Sequence, residues 1–363
     1  MITISHLNND FSGSTKVLFL FLKFLKHKKI NFKLFISNSS KDGLLNDFID
    51  SAIIYSYPKL KIKIFNYFVL LFSQFDLLIK LIRFNKNKYL YQSTLLCFGS
   101  NIFALFSNKK IIIHVHEILL INDFYRYILL KFNTNKYSNY IFVSNFQKKF
   151  YEDKRYFINK SIVIPNTVSF YEESKICNTN NKVINNNIIV TYIGPANVKK
   201  GFDMFLKIVN RYLNQNCEFI WVANSVIDLK TAKQFNLFNE LSSNIKIYNS
   251  LKDLSNIYIK SNVILNLSNP KYWIETFGLT LLEGAYFGCI PFTLNIGGPK
   301  EIFQNNQNAF LFDEYNEICI FDKFDELLSC NHLKLISKNT FELSQEFADI
   351  DKFHFKILNY LIS

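Results

Sequence analysis

The chain has 363 residues, too many for one ordinary hydrophobic core and suited to two domains of about 150 to 180 residues each. Apolar residues at 49% and charged residues at 20% exclude a disordered or fibrous chain. The formal charge of +13 excludes little by itself, because 38 lysines beside four arginines (Arg83, Arg126, Arg155, Arg211), 44 Asn, 39 Phe and 20 Tyr are what A- and T-rich codons supply.

Ile2 to Leu7 reads as a short buried strand ending in the polar turn Asn8 to Ser14. An apolar-periodic stretch from Lys16 to His27 predicts a helix, and Phe32 to Ser37 a second strand. Strand, loop, helix, strand is the opening of a parallel sheet. Tyr89 to Leu96, Lys110 to His116 and Tyr140 to Ser144 continue it, so one Rossmann-like domain fills 1–168. Residues 169–186 are polar and Asn-rich, as a linker is. A second alternation over 187–340 offers strands at Ile188 to Ile193, Glu218 to Val222, Ile245 to Tyr248, Val263 to Leu267, Ile290 to Leu294 and Phe310 to Phe312. The amphipathic stretch 341–363 reads as a C-terminal helix packing back toward the N-terminal domain. The expected fold class is α/β, two Rossmann-like domains facing each other across a cleft, with ligands at the carboxyl ends of the strands. Neither half contains Gly-x-Gly-x-x-Gly, which counts against a dehydrogenase.

No run of 18 apolar residues exists, since the stretch from Ile64 to Ile82 is broken by Asn66, Ser73, Gln74, Asp76 and Lys80. The start, Met1 to Leu7, lacks the basic flank and small-residue cleavage site of a signal peptide. The six cysteines form no Cys-x-x-Cys pair and read as buried thiols in a reducing compartment. The expectation is a cytoplasmic protein, at most peripheral to a membrane.

The richest segment is Glu275-Thr-Phe-Gly-Leu-Thr-Leu-Leu-Glu283-Gly-Ala-Tyr-Phe-Gly288. A helix beginning near Phe277 places its two carboxylates about 12 Å apart, the span from a sugar ring to the ribose of a sugar nucleotide. The amides of Phe277, Gly278, Leu279 and Thr280 then form a helix N-terminus able to receive a diphosphate. Two solvated glutamates on an ordinary helix is the plainer reading of the spacing alone. Lys199 and Lys200 stand before a helix starting near Phe202, where the helix dipole repels cations unless an anion sits between them. His116 ends a very apolar strand. His114 points the same way by alternation, leaving the choice between them open, with His116 favoured.

Several elements occur in order. They are Val163-Ile-Pro-Asn166, then Ile193-Gly194-Pro-Ala-Asn-Val-Lys-Lys200-Gly201, Asn244-Ile-Lys-Ile, Val263-Ile-Leu-Asn-Leu-Ser268, Glu275-x7-Glu283, Gly297-Gly298-Pro-Lys-Glu301 and Asn308-Ala-Phe-Leu-Phe. Together they resemble the family 4 glycosyltransferases of the GT-B fold. The resemblance is nearly continuous in the C-terminal half. In the N-terminal half it rests on the first strand and loop, on His114-Val-His116-Glu117 and on Ile141-Phe-Val-Ser144.

The resemblance implies a retaining glycosyltransferase that moves a hexosyl or other sugar from a nucleotide diphosphate sugar. Glu275 would hold donor-sugar hydroxyls, Glu283 the ribose, the amides after Thr276 the phosphates, and Lys200 with Lys199 the leaving diphosphate. His116 would contact sugar or acceptor, Glu117 would orient it or approach the acceptor, and Gly13 would line the donor side. No cofactor and no metal is expected, since helix and lysine meet the diphosphate charge. Two positions depart from the family pattern. Pro195 stands where members commonly carry Arg, leaving nearby lysines or Arg211 to substitute, and Gly13 stands alone where the family often shows a pair.

Charge distribution addresses the acceptor. Residues 1–170 hold 24 Lys+Arg against 9 Asp+Glu, net +15, and residues 171–363 hold 18 against 20, net −2. Codon drift acts on both halves alike and does not produce that asymmetry. Few arginines count against a nucleic-acid partner, and a lysine-rich surface, including Lys16 to Lys33 and Lys59 to Phe72, suits anionic lipid headgroups. The expected acceptor is a polyprenyl-diphosphate-linked oligosaccharide at the inner face of the cytoplasmic membrane, as in bacterial surface-polysaccharide (O-antigen, lipopolysaccharide or capsule) synthesis. A nucleotide-sugar binding protein without turnover is the alternative, and a nucleic-acid binder a further one.

Overall fold

A computed structural model describes residues 1–39, 43–58, 65–84, 87–119, 123–153, 160–168, 187–251 and 253–363. The expected linker, 169–186, lies outside the described residues, as do 59–64 of the lysine-rich stretch. The chain divides into two compact units, 1–166 with 351–363, and 167–350.

The first unit carries seven strands: β1 (Ile2–His6), β2 (Phe32–Ser37), β3 (Ile53–Tyr55), β4 (Tyr89–Gln92), β5 (Ile111–Val115), β6 (Ser138–Phe142) and β7 (Ser161–Val163). They lie in the order β3-β2-β1-β4-β5-β6-β7, and every pairing is parallel. The second unit carries β8 (Ile188–Ile193), β9 (Cys217–Ala223), β10 (Ile245–Asn249), β11 (Val263–Asn266), β12 (Ile290–Leu294) and β13 (Phe310–Phe312). Their order is β10-β9-β8-β11-β12-β13, again all parallel. Parallel strands covered by helices on both faces need apolar side chains on both, which is why β5 and β12 read as unbroken buried runs. In the second unit Phe202 sits 4.6 Å from the Trp221 ring, and the indole N–H donates to the Gly194 carbonyl at 3.0 Å, so the largest core side chain leaves no polar atom stranded.

Several boundaries differ from the sequence-based expectation: the stretch 341–363, expected as one helix, is the end of the helix Leu333–Gln345 followed by a separate helix, Ile350–Ile362, and three others shift for clear local reasons. β4 stops at Gln92 rather than Leu96, because the Thr94 hydroxyl accepts from the Leu96 amide and turns the chain into a short 3-10 helix, Leu95–Cys97. β6 stops at Phe142 because Ser144 caps the helix Asn145–Glu152, accepting from the Gln147 amide at 3.2 Å. The helix expected from Phe277 runs over Leu279–Tyr286, with Gly278 at its N-cap in left-handed backbone, φ 83°, where a side chain would be strained.

Strand order reverses beside β1 and beside β8, since consecutive strands lie on one side of each and β4 or β11 on the other. Such switch points open a crevice at the carboxyl ends of the strands. The loops after β1, β4 and β5 in one unit, and after β8 and β11 in the other, carry the candidate side chains.

Candidate functional site

In the second unit the loop after β8 supplies Lys200 and the segment after β11 supplies Glu275. Asn197 caps the short turn Val198–Lys200 by accepting from the Lys200 amide at 2.9 Å, and Gly201 turns the chain into the helix Phe202–Tyr212. The two loops are fastened to each other: the Asn269 amide donates to the Lys199 carbonyl at 3.0 Å, and a Cβ on Gly201 would lie 1.9 Å from the Leu267 carbonyl oxygen. This brings the Lys200 ammonium into a direct ion pair with the Glu275 carboxylate, while Ser268 donates to the same oxygen at 2.8 Å. The ammonium also lies 4.1 Å from the centre of the Trp273 ring, a cation–π contact that fixes its direction. Burial pushes the Glu275 carboxyl up, but the Lys200 charge and hydrogen bonds from Lys200, Ser268 and Asn266 outweigh it and hold the group below the ordinary carboxylate range. A cation at the start of a helix therefore finds its counter-charge inside the protein, which the sequence alone had assigned to a bound anion. Lys199, one residue earlier, is exposed.

The turn carrying Glu275 is clamped from behind. Gly298 donates its amide to the Glu275 carbonyl at 2.9 Å, and Cβ atoms added at Gly297 and Gly298 would lie 2.3 Å from the Glu275 carbonyl oxygen and 2.1 Å from that of Thr276. The Gly-Gly-Pro element is thus the surface on which the Glu275 turn rests. Phe277 is buried, edge-on to Phe347 at 6.1 Å, so only its backbone is on offer to a ligand. The amides of Leu279 and Thr280 occupy the first turn of their helix, where N–H groups have no acceptor within the helix. Glu283 is 2% exposed and accepts a hydrogen bond from the Tyr258 hydroxyl at 2.9 Å. It is a held carboxylate, not a solvated one.

In the first unit three histidines gather at the switch point. His6, at the end of β1, places Nδ1 2.6 Å from the Ser93 hydroxyl and Nε2 3.1 Å from the Thr15 hydroxyl. Thr15 and Ser12 both donate to the Asp10 carboxylate at 2.6 Å, which orders the loop after β1. His114 is wholly buried and shares a 2.6 Å hydrogen bond with the Tyr91 hydroxyl. His116, just beyond β5, stacks on it with ring centres 4.1 Å apart and is partly exposed. The pair differs in burial: His114 belongs to the core, while His116 is partly exposed as a residue with its Nε2 buried. Burial, then repulsion from His6, pushes His116 down to about 3, and burial, opposed by Asp10, pushes His6 down to about 4.

Glu117 does not reach outward. Its carboxylate accepts from the Thr94 hydroxyl at 2.5 Å, the Leu95 amide at 2.8 Å and the His116 amide at 3.0 Å, so it shapes backbone and does not orient the imidazole. Burial, only partly offset by these bonds, raises its carboxyl above the ordinary range. Gly13 is the first residue of the helix Gly13–His27, exposed, and not among the glycines with positive φ. Arg211 does not stand in for the arginine replaced by Pro195. It lies in the last turn of the helix Phe202–Tyr212, paired with Asp325 at 3.2 Å and stacked over Phe321. Trp273, Tyr258, His6 and Ser93 escaped the sequence reading. Trp273, one of two tryptophans and two residues before Glu275, was the one with a visible signal. Among the described residues no group of three or more His, Cys, Asp and Glu side chains is placed to hold a metal ion.

Two parallel α/β units with Rossmann strand order, each with polar side chains at its switch point, define the GT-B class of fold. The match to solved members extends over the whole chain. It is similar to Anabaena Alr3699/HepE, solved with UDP-glucose (TM-score 0.77, 16% identity, 99% of this chain and 98% of that one). It is similar to sucrose-phosphate synthase from Thermosynechococcus elongatus (TM-score 0.77, 13% identity, 99% and 97%). WaaG, a glycosyltransferase involved in lipopolysaccharide biosynthesis, gives 0.72 at 11% identity over 99% of each chain. Residues 178–342 match the sequence family described as "Glycosyl transferases group 1". A sucrose synthase of Melioribacter roseus is 28% identical over 140 residues, 33% of this chain, which spans only 17% of that protein's length.

Proposed function

We propose that this chain is a retaining glycosyltransferase that takes a sugar from a nucleotide diphosphate sugar. The observation that carries the reading is the Lys200–Glu275 pair, built from two loops at a switch point and set beside the first turn of the helix Leu279–Tyr286. In the proposed reaction the donor diphosphate takes Lys200 and the amides of Gly278, Leu279 and Thr280, while Glu275, released from the ion pair, receives sugar hydroxyls. Glu283, steadied by Tyr258, reads the ribose. The bond from sugar to diphosphate breaks through an oxocarbenium-like state, and the acceptor hydroxyl attacks from the face the diphosphate leaves, giving its proton to a departing diphosphate oxygen. Stabilising the departing charge supplies most of the acceleration, without a cofactor or a metal. His116, neutral at physiological pH, contacts donor sugar or acceptor. Lys199 adds positive charge at the mouth of the phosphate site, and Gly13, at the start of its helix, lines the donor side.

Uracil is the base favoured first, because the similar HepE structure holds UDP-glucose. The acceptor we propose is a lipid-linked oligosaccharide at the inner face of the cytoplasmic membrane, in surface-polysaccharide synthesis. Support comes from the +15 carried by residues 1–170 and from the likeness to WaaG. Thermal-shift screening against UDP, GDP, dTDP and CMP sugars, with Glu283→Ala as control, tests the donor site. Stabilisation by one nucleotide family that the substitution abolishes is expected; no stabilisation, or stabilisation indifferent to the substitution, rejects the assignment. Pro195 favours a second reading, donor binding without turnover, which predicts the same stabilisation but no release of free nucleotide diphosphate.

A further inference from the structure

The helix Phe65–Phe84 is apolar on two sides, burying Leu77 and Leu81 in the core while a second apolar face looks outward. A surface helix ordinarily buries its apolar side and exposes its polar one. Here Ser73 and Gln74 are 2% and 1% exposed, while Phe68, Leu71, Phe72, Phe75, Ile79 and Ile82 face outward, Phe72 at 74%. At 100° per residue those six fall within an arc of about 100°, so they form one continuous stripe along the helix. The orientation is locked. The Gln74 side chain accepts from the Gly99 amide at 3.1 Å, and a Cβ on Gly99 would lie 2.4 Å from the Gln74 carbonyl oxygen. Gln74 meets the neighbouring helix, Phe98–Ser107, and Leu77 and Leu81 fill the core beneath it, so the outer phenylalanines stay on the solvent side. That neighbouring helix carries no charged residue and ends on exposed Leu105 and Phe106, the latter again 74% exposed. Monomeric soluble proteins rarely leave so contiguous an apolar surface uncovered.

We propose that this stripe is a membrane-docking surface, lying in the plane of an anionic bilayer with its phenylalanines at the level of the acyl chains. Charge selects this occupant. Residues 65–110 contain six Lys+Arg and a single acidic residue, Asp76, and Asp76 is already paired with Lys80 at 2.8 Å. Arg83 borders the stripe, exposed. The spacing of Phe68, Phe72, Phe75, Ile79 and Ile82 also has the heptad form that two copies of a helix use to pair, but pairing would bring two such basic surfaces together. Anionic headgroups answer both the apolar stripe and the basic excess of this stretch, with Arg83 at the stripe's edge. Among the described residues no helix is long and apolar enough to cross a membrane, so the contact is a surface one. The inference deepens the membrane-side reading of the acceptor and rests on it for its purpose.

The test is sedimentation of the full chain with vesicles of phosphatidylglycerol and of phosphatidylcholine, at low and high salt. Wild type is compared with the triple variant Phe72→Ser, Phe75→Ser, Ile79→Ser, each protein also being checked for nucleotide-sugar stabilisation. The expected result is binding to the anionic vesicles that weakens with salt, and a loss of about tenfold or more in the variant. Phe72→Trp should add emission that brominated anionic lipid quenches, a readout of insertion that a misfolded variant does not mimic. Failure of wild type to bind anionic vesicles overturns the proposal, as does equal binding by the variant. Concentration-dependent dimerisation of wild type that the variant abolishes assigns the stripe to a second copy and also overturns it. Loss of donor stabilisation in wild type would instead reject the glycosyltransferase reading and leave the vesicle result standing.

Discussion

Gly298→Ala isolates the mechanical link between the Gly-Gly-Pro element and Glu275. The backbone of Gly298, at φ −62° and ψ −38°, is ordinary helical conformation that alanine accepts without strain, so the whole effect comes from the added methyl group. That methyl would lie 2.1 Å from the Thr276 carbonyl oxygen, 2.4 Å from its carbon and 2.6 Å from the Phe277 Cα, all backbone atoms with no side chain to swing aside. Ordinary contact begins at 3.4 Å, so the two segments must part by about 1.3 Å. Glu275 moves with them, because its carbonyl is what the Gly298 amide holds. A misplacement of about 1 Å costs on the order of 100-fold in rate, and the overpacking itself costs about 1–3 kcal/mol of stability. The assay is release of nucleotide diphosphate from the donor that stabilises the protein, measured well below the melting transition. Gly99→Ala, with a 2.4 Å clash against Gln74 in the other unit, serves as a comparison that loses stability but not donor turnover. A Gly298→Ala protein turning over donor within about twofold of wild type would refute the link.

Lys200→Met should lower donor turnover by about 100- to 1,000-fold. It should also move the acid limb of the pH–rate profile upward, because Glu275 loses the charge that holds its carboxyl down; an unmoved limb would dissociate the pair from catalysis. His354 predicts a stability effect. Wholly buried against Phe21 and Phe24, with neither ring nitrogen hydrogen-bonded among the described residues, it is pushed by burial down to about 3 from 6.5. The unfolded chain therefore takes up a proton below about 6.5 that the fold refuses until about 3, so stability falls with pH by about 1.4 kcal/mol per unit in that window. His354→Leu should remove one proton from that slope and add about 1 kcal/mol at neutral pH. Urea unfolding at pH 7.5 and 5.5 measures both, and an unchanged slope would sink the assignment.

The donor-side elements were legible because each is a contiguous string whose local backbone does the work. Glu275 to Glu283 sit on one turn and helix, and Asn197 to Phe202 are an N-cap, a turn and a glycine. What the string does not show is that Lys200 meets Glu275. The two are 75 residues apart, and their meeting depends on β11 pairing beside β8 and on Gly201 letting Leu267 approach. Glu117 misled because a carboxylate after a histidine looks like its partner, whereas two donors from the loop after β4, Thr94 and Leu95, and the backbone amide of His116 hold it. The stretch from Ile64 to Ile82 was legible only halfway. Ser73 and Gln74 mark it as no membrane span, but their burial, and so the outward turn of the phenylalanines, is set by Gly99 in the next helix.

The first unit is assembled from two stretches of chain that are far apart in sequence, 1–166 and 351–363. Its last helix, Ile350–Ile362, lies on the helix Gly13–His27 through Phe355 against Phe24 at 5.1 Å and Asp351 paired with Lys28 at 2.9 Å. During synthesis on the ribosome that helix arrives only after the whole of the second unit has emerged. Until then the nascent first unit holds Phe21 and Phe24 open to water, in a chain whose other exposed phenylalanines already invite association. The second unit, continuous from 167 to 350, can close first, and the basic unit is completed only when 351–363 follow it.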